Sequence, residues 1–511
     1  MNTYVALKVT TAKSSTTEHE SNILEHLSRE DIQHPGKKHV MTLLDSFEHQ
    51  GPNGLHRCLA FDVMGPSTST MFENLPPKLR TLLSEPGEPV IGNDLHRDAD
   101  KRGRYPLWMA KSILRQTLLG IDFLHKNGIS HGDLQPGNIL FSVKDLSSLH
   151  EGQLAQVDKQ GYDFVRTEDS DGTVHFHPAQ FTDPSTTFEG NRLPEAQAKS
   201  EVGRDVDRKP DPSFPRYIAM KQPLFDYVDL EPPLLMKISD FGGAFFDSQS
   251  PAKPVTPLGL RSPELILGEP ITRAQDIWSF GCLMFEFITG RMMFSVMAPL
   301  PGMDEEKHLI LIGEEEDDRE EIDPTTVGEE KDDEAQWDGD IEDEEQRNDG
   351  ISHEHDLQHE GDIDSEGYEY VGGTDDSTDD DHVLQMAATL GPLPTEFLAR
   401  YPRSSIYFNE KGETTRHYIG NLGQGQTPDD IETLPPLEAF LDREKGADLG
   451  EGEAFIIKEL LRTILQFDAT KRPSASEILT HPWFADSVVS AAEATIICNA
   501  ISDTEERRNS S

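Results

Sequence analysis

Cysteine is scarce in this chain: Cys58, Cys282 and Cys498 are the only three in 511 residues, far apart and odd in number. That suggests neither a disulfide framework nor a thiolate metal site, and it fits a reducing compartment. Long apolar runs are missing too. No stretch approaches the roughly 18 apolar residues of a membrane span, and Met1-Asn2-Thr3-Tyr4-Val5-Ala6-Leu7-Lys8 lacks the charged and apolar regions of a signal peptide. A protein of the cytoplasm, the nucleus or both is expected, with no membrane partner. Positive charge is the third scarcity, with 46 Lys and Arg against 94 Asp and Glu, a formal net charge of -48. Such a surface repels phosphate backbones, so direct nucleic-acid binding is not expected.

The acidity is uneven. Residues 301–380 hold 34 acidic and 4 basic residues, a net of -30, which leaves -18 for the rest of the chain. Residues 145–232 are rich in Asp, Ser, Gly, Pro and Lys without sustained periodicity. Both stretches read as disordered inserts. The remainder, with 35% apolar residues over the whole chain, can bury one large two-lobed domain or two to three ordinary ones. No internal repeat is visible.

Three strands are expected near the start, over Tyr4 to Val9, Val40 to Phe47 and Cys58 to Met64, the last two separated by turn residues Gln50-Gly51-Pro52-Asn53-Gly54. Between the first two, a helix over Thr17 to Leu27 aligns Ile23, Leu24 and Leu27 on one face. Glu20 shares that face and points inward, whereas Glu18 faces solvent. Pro106 opens a long helix with Ile113, Thr117, Ile121 and Leu124 at helical spacing, stopped by Asn127-Gly128. Thr272 to Thr289 is apolar almost all round, the mark of a buried helix, so its Asp276 is a buried charge that needs a partner. Ser474-Ala475-Ser476-Glu477 is a capping box that starts a short helix.

The chemistry-bearing residues come in order. His131-Gly132-Asp133-Leu134-Gln135-Pro136-Gly137-Asn138 is followed by Asp240-Phe241-Gly242 and then Ser262-Pro263-Glu264. With Val5-Ala6-Leu7-Lys8 ahead, Asp276-Ile277-Trp278-Ser279-Phe280-Gly281 behind, and Lys471-Arg472-Pro473 then His481-Pro482-Trp483-Phe484 at the end, the set resembles the eukaryotic protein kinases. Any one of these motifs alone is weak; Val-Ala-Leu-Lys by itself says only that a lysine ends a strand. Within the kinases the chain is similar to the SR-protein kinases, which phosphorylate serines in arginine/serine-rich proteins. Leu59-Ala60-Phe61-Asp62-Val63-Met64-Gly65, Thr256-Pro257-Leu258-Gly259-Leu260-Arg261-Ser262-Pro263-Glu264-Leu265-Ile266-Leu267-Gly268 and Leu390-Gly391-Pro392-Leu393-Pro394 carry that likeness. So does a long insert between the catalytic loop and Asp-Phe-Gly.

The resemblance implies an α+β, two-lobed protein kinase fold. Residues 1–70 would form a β-rich small lobe with a hinge near 61–65, residues 71–485 a mainly helical large lobe, and 486–511 a tail. It implies ATP and Mg2+ as cofactors, with basic arginine/serine-rich proteins as substrates of a monomeric enzyme. Phosphoryl transfer depends on positioning and charge neutralisation. Lys8, fixed by Glu20, would hold the nucleotide phosphates. Phe61, Asp62, Val63 and Met64 would contact the adenine. Asn138 and Asp240 would hold the metal, a hard cation, and Asp133 would accept the substrate hydroxyl proton. Asp276 would bind the catalytic-loop backbone, and Glu264 would pair with Arg472.

Four departures from the family pattern stand out. The chain starts at the third small-lobe strand, with no glycine before Lys8, so the phosphate-covering Gly-x-Gly-x-x-Gly hairpin is absent unless an upstream reading frame encodes it. The strand at Tyr4 to Val9 is then expected to be an unpaired edge. Gln135 replaces a lysine that reaches the transferred phosphate, a loss on the order of 10²-fold in rate by analogy with an oxyanion donor. Gly132 replaces an arginine that reads activation-segment phosphorylation, and Lys8 and Glu20 are close in sequence. A non-catalytic kinase-fold binding protein is the rival expectation. His353, His355 and His359 sit in acidic low-complexity sequence and read as solvated rather than metal-binding. Thr374 and Ser377, followed by acidic residues, are candidate phosphorylation sites, and the acidic block is either a docking surface or a solubilising insert.

Overall fold

A computed structural model describes residues 4–10, 19–29, 31–51, 54–75, 104–154, 164–168, 174–178, 224–230, 234–296, 308–312, 368–371, 377–418 and 434–485. Glu18, His353, His355, His359, Thr374 and the tail lie outside the described residues.

Alternating and β-branched residues near the N-terminus build a three-stranded antiparallel sheet from β1 (Ala6–Val9), β2 (Leu43–Gly51) and β3 (Gly54–Phe61), in the order β1-β3-β2. Among the described residues β1 is an edge strand, and its outward side chains Leu7 and Val9, with Val5 just before it, are half exposed. Helix α1 (His19–Ser28) packs against this sheet through Ile23, Leu24 and Leu27, the face its sequence spacing marks out.

The second and third strands differ from expectation for tertiary reasons. Val40 and Met41 leave the small sheet to meet Ile238 of the large lobe, by a parallel bridge and a 2.9 Å bond from Met41 N, so β2 begins only at Leu43. The run through Met64 breaks after Phe61. Its continuation, β4 (Met64–Ser67), joins another sheet, in which β6 (Ile139–Ser142) lies between β4 and β9 (Met236–Ile238). Asp62 and Val63 are thus the crossing between two sheets. Ser67 then caps α2 (Thr68–Asn74) by accepting from Thr70 N.

The large lobe is built on α3 (Leu107–Lys126) and α6 (Ala274–Thr289), both lined by residues with no exposure. Gly128 and Gly290 end them in the left-handed region, at φ 67° and 78°, a conformation glycine adopts without a Cβ penalty. Short β5 (Ile129–Ser130) pairs with β10 (Phe245–Phe246), and α5 (Pro263–Ile266) precedes α6. Around them pack α7 (Ser377–Leu390), α8 (Thr395–Leu398), α9 (Ser404–Tyr407), α10 (Leu437–Glu444), α11 (Glu451–Ile464), α12 (Ala475–Leu479) and α13 (Pro482–Ala485). The capping box at Ser474 and Glu477 is present.

Within the two stretches expected as inserts, α4 (Glu151–Leu154), the hairpin β7 (Phe164–Glu168) with β8 (Val174–Pro178), and β11 (His308–Ile312), which pairs with β12 (Tyr368–Val371) and β13 (Arg416–Tyr418), are described. The two ends of the first stretch meet beside β4, where Lys144 N bonds Tyr227 O at 2.8 Å. Tyr4 Oη donates to Leu149 O at 2.8 Å from the small lobe.

Candidate active site

Four elements converge where the lobes meet. Lys8, on β1, sends its Nζ to Glu20 Oε1 of α1 at 2.7 Å and to Asp240 Oδ1, 232 residues away, at 2.9 Å. Burial works against the Lys8 charge, but the two carboxylates outweigh it and raise its pKa. Burial likewise opposes ionisation of Asp240, and Lys8 reverses that and lowers its pKa. Asp240 adopts φ 62°, left-handed for a residue with a side chain, and accepts from Gly242 N. Strain of this kind collects at functional sites.

The catalytic loop is held from beneath. Asp276, fully buried on α6, accepts from His131 N at 2.8 Å, Gly132 N at 2.9 Å and His125 Nε2 at 2.9 Å. Burial disfavours its charge, yet these donors keep its pKa below the ordinary carboxylate value. The buried charge expected in this helix therefore finds its partners. His131 Nε2 donates to Ser239 O, tying the loop to the residue before Asp240. Asp133, half-buried, receives Asn138 Nδ2 on Oδ2 at 3.0 Å and Gln135 Nε2 on Oδ1 at 2.9 Å. Burial, the largest influence, raises its pKa despite these bonds.

The site can accommodate a magnesium ion. The Asn138 amide spends its donors on Asp133 O and Oδ2, so its carbonyl Oδ1 is the atom left to meet a cation. Asp240 is an ionised carboxylate close by in the loop that Ser239 joins to Asn138 O at 2.8 Å. Among the described residues no group of three or more His, Cys, Asp or Glu could hold a metal. A magnesium ion needs one or two protein oxygens, and phosphates and water complete its shell.

Phe61 ends β3 and Met64 begins β4, so Phe61, Asp62, Val63 and Met64 span the crossing between the sheets. Lys237 Nζ pairs with Asp62 Oδ2 at 3.1 Å. Glu264 and Arg472 form a bidentate pair with both bonds at 2.7 Å, and the Arg472 guanidinium lies 5.0 Å from the Trp278 ring centre.

Several contacts were not legible beforehand. Gly132 has φ 75°, and a Cβ there would strike the Gly243 carbonyl, so the position is a close approach of two backbones. Thr256 Oγ1 donates to Gly132 O at 2.7 Å, and His19 Nε2 to Ala244 O at 2.5 Å, which fastens the segment after Asp240 to the catalytic loop and to α1. The doubled glycine at Gly242-Gly243 was the one sequence signal of such an approach.

This fold and this set of residues define a protein kinase. Residues 1–150 and 226–333 match the protein kinase domain family, and the chain belongs to it. It is similar to protein kinase dsk1 of Schizosaccharomyces pombe, 29% identical over 333 residues, 57% of this chain and 57% of the relative. Serine/threonine-protein kinase SRPK of Physarum polycephalum is 24% identical over 487 residues, 94% of this chain and 80% of the relative. Serine/threonine-protein kinase SKY1 of Saccharomyces cerevisiae is 29% identical over 168 residues, 31% of this chain and 19% of the relative. The chain thus spans less than two thirds of dsk1 and of SKY1. Within the superfamily it is an SR-protein kinase-like member. Among the described residues no helix is long and apolar enough to cross a membrane.

Proposed function

We propose that the chain is an ATP- and magnesium-dependent serine/threonine kinase acting on serines of basic, arginine/serine-rich proteins in the cytoplasm or nucleus. The observation that carries this reading is Lys8 Nζ held between Glu20 and Asp240 at 2.7 and 2.9 Å. The Lys8–Glu20 pair belongs to the assembled catalytic arrangement of this family, and Asp240 stands at the carboxylate that would hold the metal in it. Lys8 would hold the nucleotide phosphates, Phe61 to Met64 would flank the adenine, and Asn138 and Asp240 would take the magnesium ion. That ion, when bound, neutralises charge on the phosphates. Asp133 orients the substrate hydroxyl and accepts its proton as the oxygen bonds the γ-phosphorus and ADP leaves. The acidity of the chain outside the acidic block, at -18, favours the approach of a basic peptide.

The test is phosphate transfer to an arginine/serine-repeat peptide. Wild type should label serine only with magnesium present, and Asp133→Ala should lower turnover by at least about 10³-fold, from loss of the base and its positioning. Equal labelling by the two proteins would refute the reading. No transfer by wild type together with no magnesium-dependent thermal shift by ATP would instead favour the non-catalytic binding protein, the reading that a neutral residue at Gln135 motivates; a clear shift would count against it.

A further inference from the structure

Gln135 enters the family pattern as a deficiency, a neutral residue where a cation is usual. Its geometry assigns it a task. Pro136 confines the preceding residue to extended backbone, and Gln135 sits there at φ -148° and ψ 162°. Asn138 N closes the turn on Gln135 O at 3.0 Å, and Thr68 Oγ1, buried at the start of α2, donates to Pro136 O at 2.7 Å. Tyr105 Oη in turn donates to Thr68 O at 2.5 Å, so the peptide carrying Gln135 is anchored to the hinge side of the large lobe. From that fixed backbone the side chain folds back over Gly137, where its Oε1 lies 3.6 Å from the position a Cβ would occupy, and its Nε2 reaches Asp133 Oδ1 at 2.9 Å. Asn138 Nδ2 takes Oδ2 at 3.0 Å.

The two carboxylate oxygens are therefore gripped by two amides, one from each side, which fixes the plane of the carboxylate about its own χ2. A lysine ammonium could be drawn toward a phosphate and away from Asp133. An amide has no net charge to be drawn off. We infer that Gln135 is a positioning residue for Asp133, a neutral donor that holds the base in the orientation needed to receive the substrate hydroxyl. This rests on the function proposed above.

The experiment compares wild type, Gln135→Leu, Gln135→Glu and Gln135→Lys, reading kcat and KM for ATP and for an arginine/serine-repeat peptide, with melting temperature as the control. Leucine removes the donor and leaves an apolar side chain one atom shorter. It should lower kcat about 10-fold or more, the value of one hydrogen bond to a charged group, with both KM values and the melting temperature unchanged. Glutamate, a second anion beside Asp133, should lower kcat further. Lysine restores a donor and should exceed the kcat of Gln135→Leu; a Gln135→Lys no faster than Gln135→Leu would count against the hydrogen bond. A kcat for Gln135→Leu within about two-fold of wild type overturns the inference and leaves the kinase reading intact. So does a loss matched by a fall in melting temperature. A wild type that transfers no phosphate overturns the proposed function first, and this inference with it.

Discussion

Asp276→Asn is the substitution whose consequence the structure defines most closely, because it removes a charge and almost no volume. The carboxylate accepts three hydrogen bonds: Oδ2 takes His131 N and His125 Nε2 and Oδ1 takes Gly132 N, at 2.8, 2.9 and 2.9 Å. An amide has one acceptor oxygen. The orientation that loses least keeps that oxygen on His131 and His125 and turns the NH2 toward Gly132 N, which leaves the Gly132 N–H without its acceptor. That costs about 1–3 kcal/mol. The two surviving bonds also lose their charge assistance, about 1 kcal/mol each, so the whole is about 3–5 kcal/mol, in line with breaking a buried charged network. For a folded unit of this size the melting temperature should fall by on the order of 10 °C. The pH dependence follows from the depressed Asp276 pKa. The stabilisation it adds is complete above the ordinary carboxylate pKa and is lost as pH falls through the lower folded value. The gap between wild type and variant should therefore hold from pH 8 to pH 5 and close only in stronger acid. Calorimetry across that range tests both statements, and a shift below about 2 °C at pH 7.5 would refute the reasoning. At low temperature, where the variant is folded, its turnover should fall less than that of Asp133→Ala.

Arg472→Met leaves Glu264 buried and unpaired, at 5% exposure, and should cost about 3–5 kcal/mol in urea unfolding, whereas adding Glu264→Gln should recover part of the loss. Gly132→Ala must leave φ 75° or displace the Gly243 carbonyl, and a shift of that order next to Asp133 should lower turnover about 100-fold in a kinetic assay at a temperature where the protein is folded. Asp381 is pushed up to about 6 by burial and by Asp380, against a bond from Gln385. A raised acid favours the fold while it is protonated, so this stability is present at low pH and lost as pH rises past about 6. Asp381→Asn should then melt above wild type at pH 7.5 and by a smaller margin at pH 5; curves that superimpose at both pH values would count against the burial argument.

Much of the candidate site could be read from the chain because each part carries a local mark. The spacing of Asp133 and Asn138 survives as a short loop, Glu20 lies on the same helical face as Ile23, Leu24 and Leu27, and the apolar run around Asp276 announces a buried helix with a charge to satisfy. Periodicity reports what lies three or four residues away, and those features need no more than that. The places where the reading failed are those decided by distant neighbours. β2 starts late because Val40 and Met41 are claimed by Ile238, and the strand through Phe61 is cut because Met64 pairs with Ser142 of another sheet. Gly132 looks like a missing arginine until Gly243 is seen against its backbone, and Gln135 looks like a missing lysine until its amide is seen on Asp133. The sequence by itself marked out the candidate residues for the chemistry and the faces that are buried. Only the tertiary structure decided how Lys8, Asp133 and Asp240 meet, since contacts across 232 residues are set by packing of the two lobes and leave no period in the chain.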